Sequence, residues 1–242
     1  MTNSQLANAN TASPSEVVSH YLEAIYYMRA EGEVVRSARL ADWLSVSRPT
    51  VTVALRRMIR DGMVRLTARK DIGLTRRGVL AAEAIVRRHR IAERWLTDLL
   101  GLDWVNADLE AERLEHAISA VVEERLYRAL GRPKTCPHGN PIPGHSMMRA
   151  NELRLSALRP GDAGTITRIS EVAQREAPPL LQYLHERGLH PGTKIVVKSV
   201  DDVGRTMQLR AARPLTLSYE TASRLSVVRF AKRRPRRADA PR

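Results

Sequence analysis

Apolar residues recur along the chain at two different periods, and the change of period divides it. Val18, Leu22, Ile25 and Met28 follow helical spacing behind the start signal Ser13-Pro14-Ser15-Glu16, and Gly32 stops that helix. Ser37–Leu44 reads as a short second helix. Ser47 caps a third, in which Val51, Ala54, Leu55, Met58 and Ile59 form one apolar stripe that ends at Gly62. Met63–Leu66 and Ile72–Leu74 read as two short strands around the basic turn Arg69-Lys70-Asp71. Thr75 caps a long helix that runs to about Leu100 and ends at Gly101, and one further helix spans about Ala107 to Leu130.

The helical pattern then stops. Pro133–Gly144 holds four prolines and two glycines, which break helix and strand alike, so it is a domain boundary or a tightly packed crossing segment. Beyond it, Gly164–Ile169, Lys194–Val200, Thr206–Arg210 and Leu225–Phe230 alternate like strands, Pro160-Gly161 and Pro191-Gly192 supply turns, and a short helix sits near Leu180–Arg187. The predicted fold is mainly α with a small β component. Its parts are a winged helix-turn-helix over 14–75, a helical domain over 76–145 and a small β-barrel over 150–230. A leader over 1–13 and a basic tail over 231–242 read as disordered.

Composition adds direction. Among 242 residues, 40 Lys and Arg stand against 26 Asp and Glu, a formal charge of +14 that points to a polyanion and first to nucleic acid. The stretch Arg229–Arg242 holds seven basic residues and one Asp, so the tail supplies less than half of this excess. A single cysteine, Cys136, excludes an internal disulfide and a thiolate-rich zinc or iron–sulfur site. Residues 1–16 lack the basic start and apolar block of a signal peptide. No apolar run approaches the roughly 20 residues of a membrane span. The chain therefore reads as cytoplasmic, with no membrane partner.

In the third helix the apolar stripe faces inward, leaving Thr50, Thr52, Val53, Arg56, Arg57 and Arg60 on the other side. Short hydroxyl side chains near a helix start approach base edges closely, and arginines reach phosphates. Arg39, with Arg69 and Lys70 at the wing tip, would add backbone contacts. The plainer alternative is an ordinary surface helix rich in arginine.

A second set of residues carries metal chemistry. His89 and Glu93 are i, i+4; Glu112, Glu115 and His116 share one helical face with Asp108 a turn earlier; His20 and Glu23 are i, i+3. Carboxylates and imidazoles so spaced converge without backbone distortion. Alternatively the same acids are ion-pair partners, Glu112, Glu115 and Glu123 with Arg113 and Arg125, and the chain is a winged-helix regulator not gated by metal. His138, hemmed by prolines beside Cys136, reads as structural. No catalytic motif such as His-Glu-x-x-His occurs, so an enzyme and a small-molecule substrate are not expected.

Five runs carry a family resemblance: His20–Tyr26, Ser47–Val51, Arg57–Val64, Arg88–Arg94 and Leu114–His116, joined by Gly139–Gly144. Together they resemble the DtxR/MntR family of metal-dependent repressors. Leu158–Gly161 and Leu184–Gly192 resemble the SH3-like (FeoA-type) domain of its longer members. The resemblance implies a homodimer on a double-stranded DNA operator, repressing metal-uptake genes, with a helical dimerisation domain and one or two ions per subunit. It places a primary metal site on His20, Glu112, Glu115 and His116, with Glu23 added, and ancillary ligands on His89, Glu93 and Asp108, joined by Glu176. DNA contacts would fall on Arg39, Ser47, Arg48, Pro49, Thr50, Thr52, Arg56, Arg57, Arg60, Arg69 and Lys70. Manganese-type relatives have Glu where Glu112 stands and Asp where His20 stands; iron-type relatives have Cys and Met. Thiolate-free ligands suit Mn²⁺, with Fe²⁺ as the alternative.

Overall fold

The computed structural model describes residues 14–230, apart from the side chains of Glu176 and Pro178. The predicted leader and basic tail lie outside the described residues. Two compact units emerge: one takes the chain up to His89 together with Glu112–Arg125, the other takes Arg90–Ala111 and the chain from Leu126 onward.

The first unit is built as its periodicity requires. Helices α1 (Glu16–Ala30), α2 (Ser37–Leu44) and α3 (Arg48–Arg60) precede a two-stranded antiparallel wing, β1 (Val64–Leu66) and β2 (Ile72–Leu74), in register Val64↔Leu74 to Leu66↔Ile72. Leu22, Ile25 and Met28 of α1, Leu40 of α2, and Val51, Leu55 and Met58 of α3 meet in one core. Ser47 caps α3 by accepting the Thr50 backbone N–H. Of the predicted stripe only Ile59 stays exposed. Thr75 caps α4 (Arg76–Asp98) by accepting from the Gly78 N–H, and a Cβ at Gly78 would fall 2.0 Å from the Met63 carbonyl oxygen. Glycine is what lets the wing lie against the start of α4.

One predicted element divides. The single helix expected from Ala107 to Leu130 is two: α5 (Trp104–Leu114) and α6 (Ala120–Ala129). Ser119 restarts the helix, its side chain accepting the Val122 N–H and its carbonyl the Glu123 N–H. Glu115 and His116 therefore sit in the turn after α5, not on a continuous helical face with Glu112.

The second unit holds a six-stranded antiparallel sheet in the order β3-β8-β4-β5-β6-β7. Its strands are β3 (Glu152–Arg154), β4 (Ala163–Ile169), β5 (Lys194–Asp201), β6 (Thr206–Arg210), β7 (Pro214–Ser218) and β8 (Leu225–Arg229). Three short helices accompany it: α7 (Glu171–Glu176), α8 (Pro178–Glu186) and α9 (Tyr219–Ser223). Ladder irregularities at Ile166/Arg168 and Val197/Ser199 curve the sheet. Leu181 and Leu184 of α8 fill the core with Ile166, Ile195, Val197, Met207 and Val227, and Trp104 of α5 joins them.

Pro133–Gly144 is a packed crossing segment. The Ile169 N–H donates to the His138 carbonyl, and Asn140 Nδ2 donates to the Ile169 carbonyl, both at 2.9 Å. Gly139 adopts φ +87°, and a Cβ there would fall 2.0 Å from the Thr167 carbonyl oxygen.

Candidate nucleic-acid interface and metal centre

Burying Val51, Leu55 and Met58 turns the opposite face of α3 outward. Ser47, Arg48, Pro49, Thr50, Thr52, Val53, Arg56, Arg57 and Arg60 are all exposed, as are Arg69 and Lys70 at the wing tip. Lys70 takes φ +62°, the left-handed conformation, in the turn between the wing strands. The hydroxyls near the helix start are partly committed: Ser47 Oγ lies 2.8 Å from Thr50 Oγ1, and Thr52 donates to the Arg48 carbonyl. Arg57 lies 3.8 Å from Asp61, in an exposed pair that costs little to open. Arg39 differs from the rest. Half-buried, it donates to Glu33 at 3.0 Å and lies over the Trp43 ring.

The metal-ligand candidates of the first unit converge around Glu115. This carboxylate is fully buried, with His89 Nδ1 2.8 Å from its Oε2 and His116 Nε2 3.3 Å from its Oε1. Oε1 accepts no well-formed hydrogen bond among the described residues. Glu23 of α1 is buried beside it. Burial pushes the Glu23 carboxyl well above its usual range, and the charges of Glu115 and Glu112 push further, while His89 pulls back. His20 of α1 faces His116, with Nε2 atoms 3.4 Å apart. Glu23, His89 and His116 thus surround Glu115, His20 joins through His116, and Glu112 lies near enough for its charge to act on Glu23. A divalent cation fits this donor set: buried carboxylates that repel one another, with imidazoles around them, call for a counter-charge. Glu123 instead pairs with Arg87 and Arg88.

The sequence grouping set His89 with Glu93 and Asp108. His89 engages Glu115, and Glu93 also meets two residues which that grouping left out. Glu93, Cys136 and His138 are all buried and present one ligand atom each within 4.8 Å of one another. His138 Nδ1 lies 3.0 Å from Glu93 Oε1 and 4.0 Å from Cys136 Sγ, and Trp104 packs edge-on against the imidazole. His138 Nε2 is buried without a hydrogen-bond partner among the described residues. Burial works to lower the His138 pKa, but the Glu93 charge and hydrogen bond outweigh it, with Asp108 assisting, and the net shift is upward. Burial pushes the Cys136 thiol well up. The prolines around His138 are compatible with its place beside Glu93 and Cys136. The signal available in the sequence was Cys136-x-His138 itself. Glu171, nearby, is held by Arg90 through Nε at 3.0 Å and Nη2 at 2.6 Å. The side chain of Glu176 lies outside the described residues.

Among the described residues no helix is long and apolar enough to cross a membrane. Three family models match in succession. They are the iron dependent repressor N-terminal DNA binding domain over residues 15–72, the iron dependent repressor metal binding and dimerisation domain over 75–144, and the FeoA domain over 153–229. The chain is 35% identical over 218 residues to the iron-dependent repressor IdeR of Mycobacterium tuberculosis, covering 86% of this chain and 94% of that protein. It is 35% identical over 190 residues to the diphtheria toxin repressor of Corynebacterium diphtheriae, covering 75% and 84%. A manganese-dependent transcriptional repressor solved in complex with manganese superposes with a TM-score of 0.79 at 30% identity, over 88% of this chain and 100% of that one. Its relatives are transcriptional repressors rather than enzymes. Uniting an exposed arginine-rich reading helix, a buried carboxylate–imidazole cluster and an SH3-like FeoA domain, the chain belongs to the iron-dependent repressor family of metal-dependent, DNA-binding transcriptional regulators.

Proposed function

We propose that this chain is a cytoplasmic homodimer that binds a double-stranded DNA operator when a divalent cation, Mn²⁺, occupies the cluster around Glu115, and that it thereby represses metal-uptake genes. The observation that carries this reading is the meeting of His20 and Glu23 of α1 with Glu112, Glu115 and His116 of α5 and its following turn. Without a cation, burial and the charges of Glu115 and Glu112 push the Glu23 carboxyl well above its usual range, so the joint between α1 and the turn carries unfavourable charge. A bound cation supplies charge neutralisation and coordination across that joint. Fixing α1 fixes α2 and α3, which share its core, and so the orientation in which each reading helix meets DNA. In a symmetric dimer two such helices must match half-sites about 34 Å apart or a multiple of it.

Mn²⁺ is supported by the absence of a thiolate from this cluster and by Glu112 standing where iron-type relatives carry Cys. Fe²⁺ is the second reading. It is favoured by the iron-dependent relatives and by the imidazole of His20, a softer ligand than the Asp of manganese-type relatives. A second ion position on Glu93 and Asp108, with Cys136 and His138, is part of the proposal.

DNA recognition falls on Ser47, Arg48, Pro49, Thr50, Thr52 and Arg56 at the groove. Arg57, Arg60, Arg69 and Lys70 serve the phosphates, and Arg39 acts through its hold on Glu33. The testing experiment compares wild type with Glu112→Ala and His116→Ala for Mn²⁺-dependent binding of a promoter fragment. Folded variants that have lost the metal dependence support the reading, and variants that keep it overturn it.

A further inference from the structure

We infer that Glu16 is a metal ligand, completing with His20 and His116 a set of two imidazoles and one carboxylate at the amino-terminal end of α1. The inference rests on the reading above that His20 and His116 face the ion; the family resemblance assigns nothing to Glu16.

Glu16 opens α1 and stands one helical turn before His20, on the same face. One ligand atom from each of Glu16, His20 and His116 lies within 4.8 Å of the other two. The imidazole rings are tilted by 53° with centroids 5.4 Å apart, so they do not stack; their Nε2 atoms point at one another across 3.4 Å. That separation is long for a hydrogen bond between ring nitrogens. It suits a shared cation: two nitrogens each about 2.1 Å from one ion and 3.4 Å apart subtend about 108° at it. A carboxylate on the same side completes three ligands around that point.

The chemistry explains why a carboxylate is needed here. Where manganese-type relatives carry Asp, this chain has His20, a neutral ligand that leaves the ion one negative charge short. Glu16, a turn earlier, restores that charge. Exchanging one oxygen ligand for a nitrogen also moves the site toward borderline ions such as Fe²⁺, Co²⁺ and Zn²⁺. Glu16 is exposed, so it would close over the ion last.

The test uses the full chain stripped of metal and titrated with Co²⁺, reading affinity by competition and ligand field by visible absorption. Glu16→Gln keeps the side-chain shape and should weaken Co²⁺ binding about tenfold or more, by analogy with lost metal-site partners, and should change the d–d band. Far-UV circular dichroism should be unaltered. Unchanged affinity, or weaker binding with an unchanged band (the mark of a remote charge), would overturn the assignment. His116→Ala is the control for the underlying reading: if wild type binds no Co²⁺, or His116→Ala binds it as wild type does, that reading fails with it. If His116→Ala loses the ion and Glu16→Gln binds normally, only Glu16 is excluded.

Discussion

Glu115→Gln separates the metal function of the central carboxylate from its packing. Glutamine preserves the shape of a fully buried side chain and can still accept from His89 at the 2.8 Å contact, but it removes the charge that repels Glu23. The change therefore trades a charge-assisted hydrogen bond, worth about 1.5–3 kcal/mol, for a neutral one of about 0.5–1.5 kcal/mol. Relief of the Glu23–Glu115 repulsion offsets the difference. Stability without metal should move by no more than about 1 kcal/mol, a small fraction of what a domain holds. The effect of metal should collapse. Metal at a hundred times its Kd stabilises by about 2.7 kcal/mol, a Tm rise of about 5–11 °C for a chain of this size. Losing even an outer partner of a metal ligand weakens binding about 10–100-fold. At the same metal concentration, a hundredfold loss leaves about 0.4 kcal/mol, or about 1 °C. Thermal melts of wild type and variant, each with Mn²⁺ and with chelator, read all four values. A variant that keeps the full metal-induced rise would remove Glu115 from the site.

Three further outcomes follow from the geometry. Arg57→Ala should weaken binding to all DNA sequences alike and flatten the plot of log K against log salt by about 0.9; an unchanged slope places Arg57 off the phosphates. Glu23 has a folded-state pKa raised above its unfolded value, so the native chain holds a proton that the unfolded chain has released. Metal-free stability should therefore be highest below about pH 4.3, as far as this group is concerned, and fall as pH rises through the raised value. Glu23→Gln should remove that fall, which urea titrations in chelator across pH would reveal; an identical pH profile refutes the shift. Gly139→Ala meets both a positive φ and a carbonyl oxygen 2.0 Å away. It should cost the carboxy-terminal unit about 2–4 kcal/mol, and a denaturant midpoint equal to wild type would contradict the close packing.

Local signals made much of this fold legible. The Ser47 and Thr75 caps, the stops at Gly32 and Gly62 and the stripe of α3 each depend on neighbours within a turn or two, so sequence order contains them. The division of α5 from α6 escaped because Glu115-His116-Ala117-Ile118 keeps helical spacing and contains no glycine or proline. At the break Glu115 is buried against His89, a residue far away in the chain, and the helix restarts at the Ser119 cap. Cys136 and His138 escaped for a related reason. Their prolines forbid regular structure, and hydrogen bonds to Ile169 fix the segment from outside. β7, which opens on Pro214, carries too short a pattern to separate from a loop, and pairs as an edge strand. The candidate ligands were visible as types and spacings. Which of them meet was decided by tertiary packing.

The central claim is that the ion and the operator favour the same arrangement of α1 against the Glu115 turn, so their affinities are thermodynamically coupled. Measuring the Kd for Mn²⁺ with and without a promoter fragment, and the Kd for that fragment with and without Mn²⁺, tests it directly. Both ratios should be equal and lie at about 5–150-fold. Operator affinity that is the same in Mn²⁺ and in chelator, with Mn²⁺ affinity blind to DNA, would contradict it.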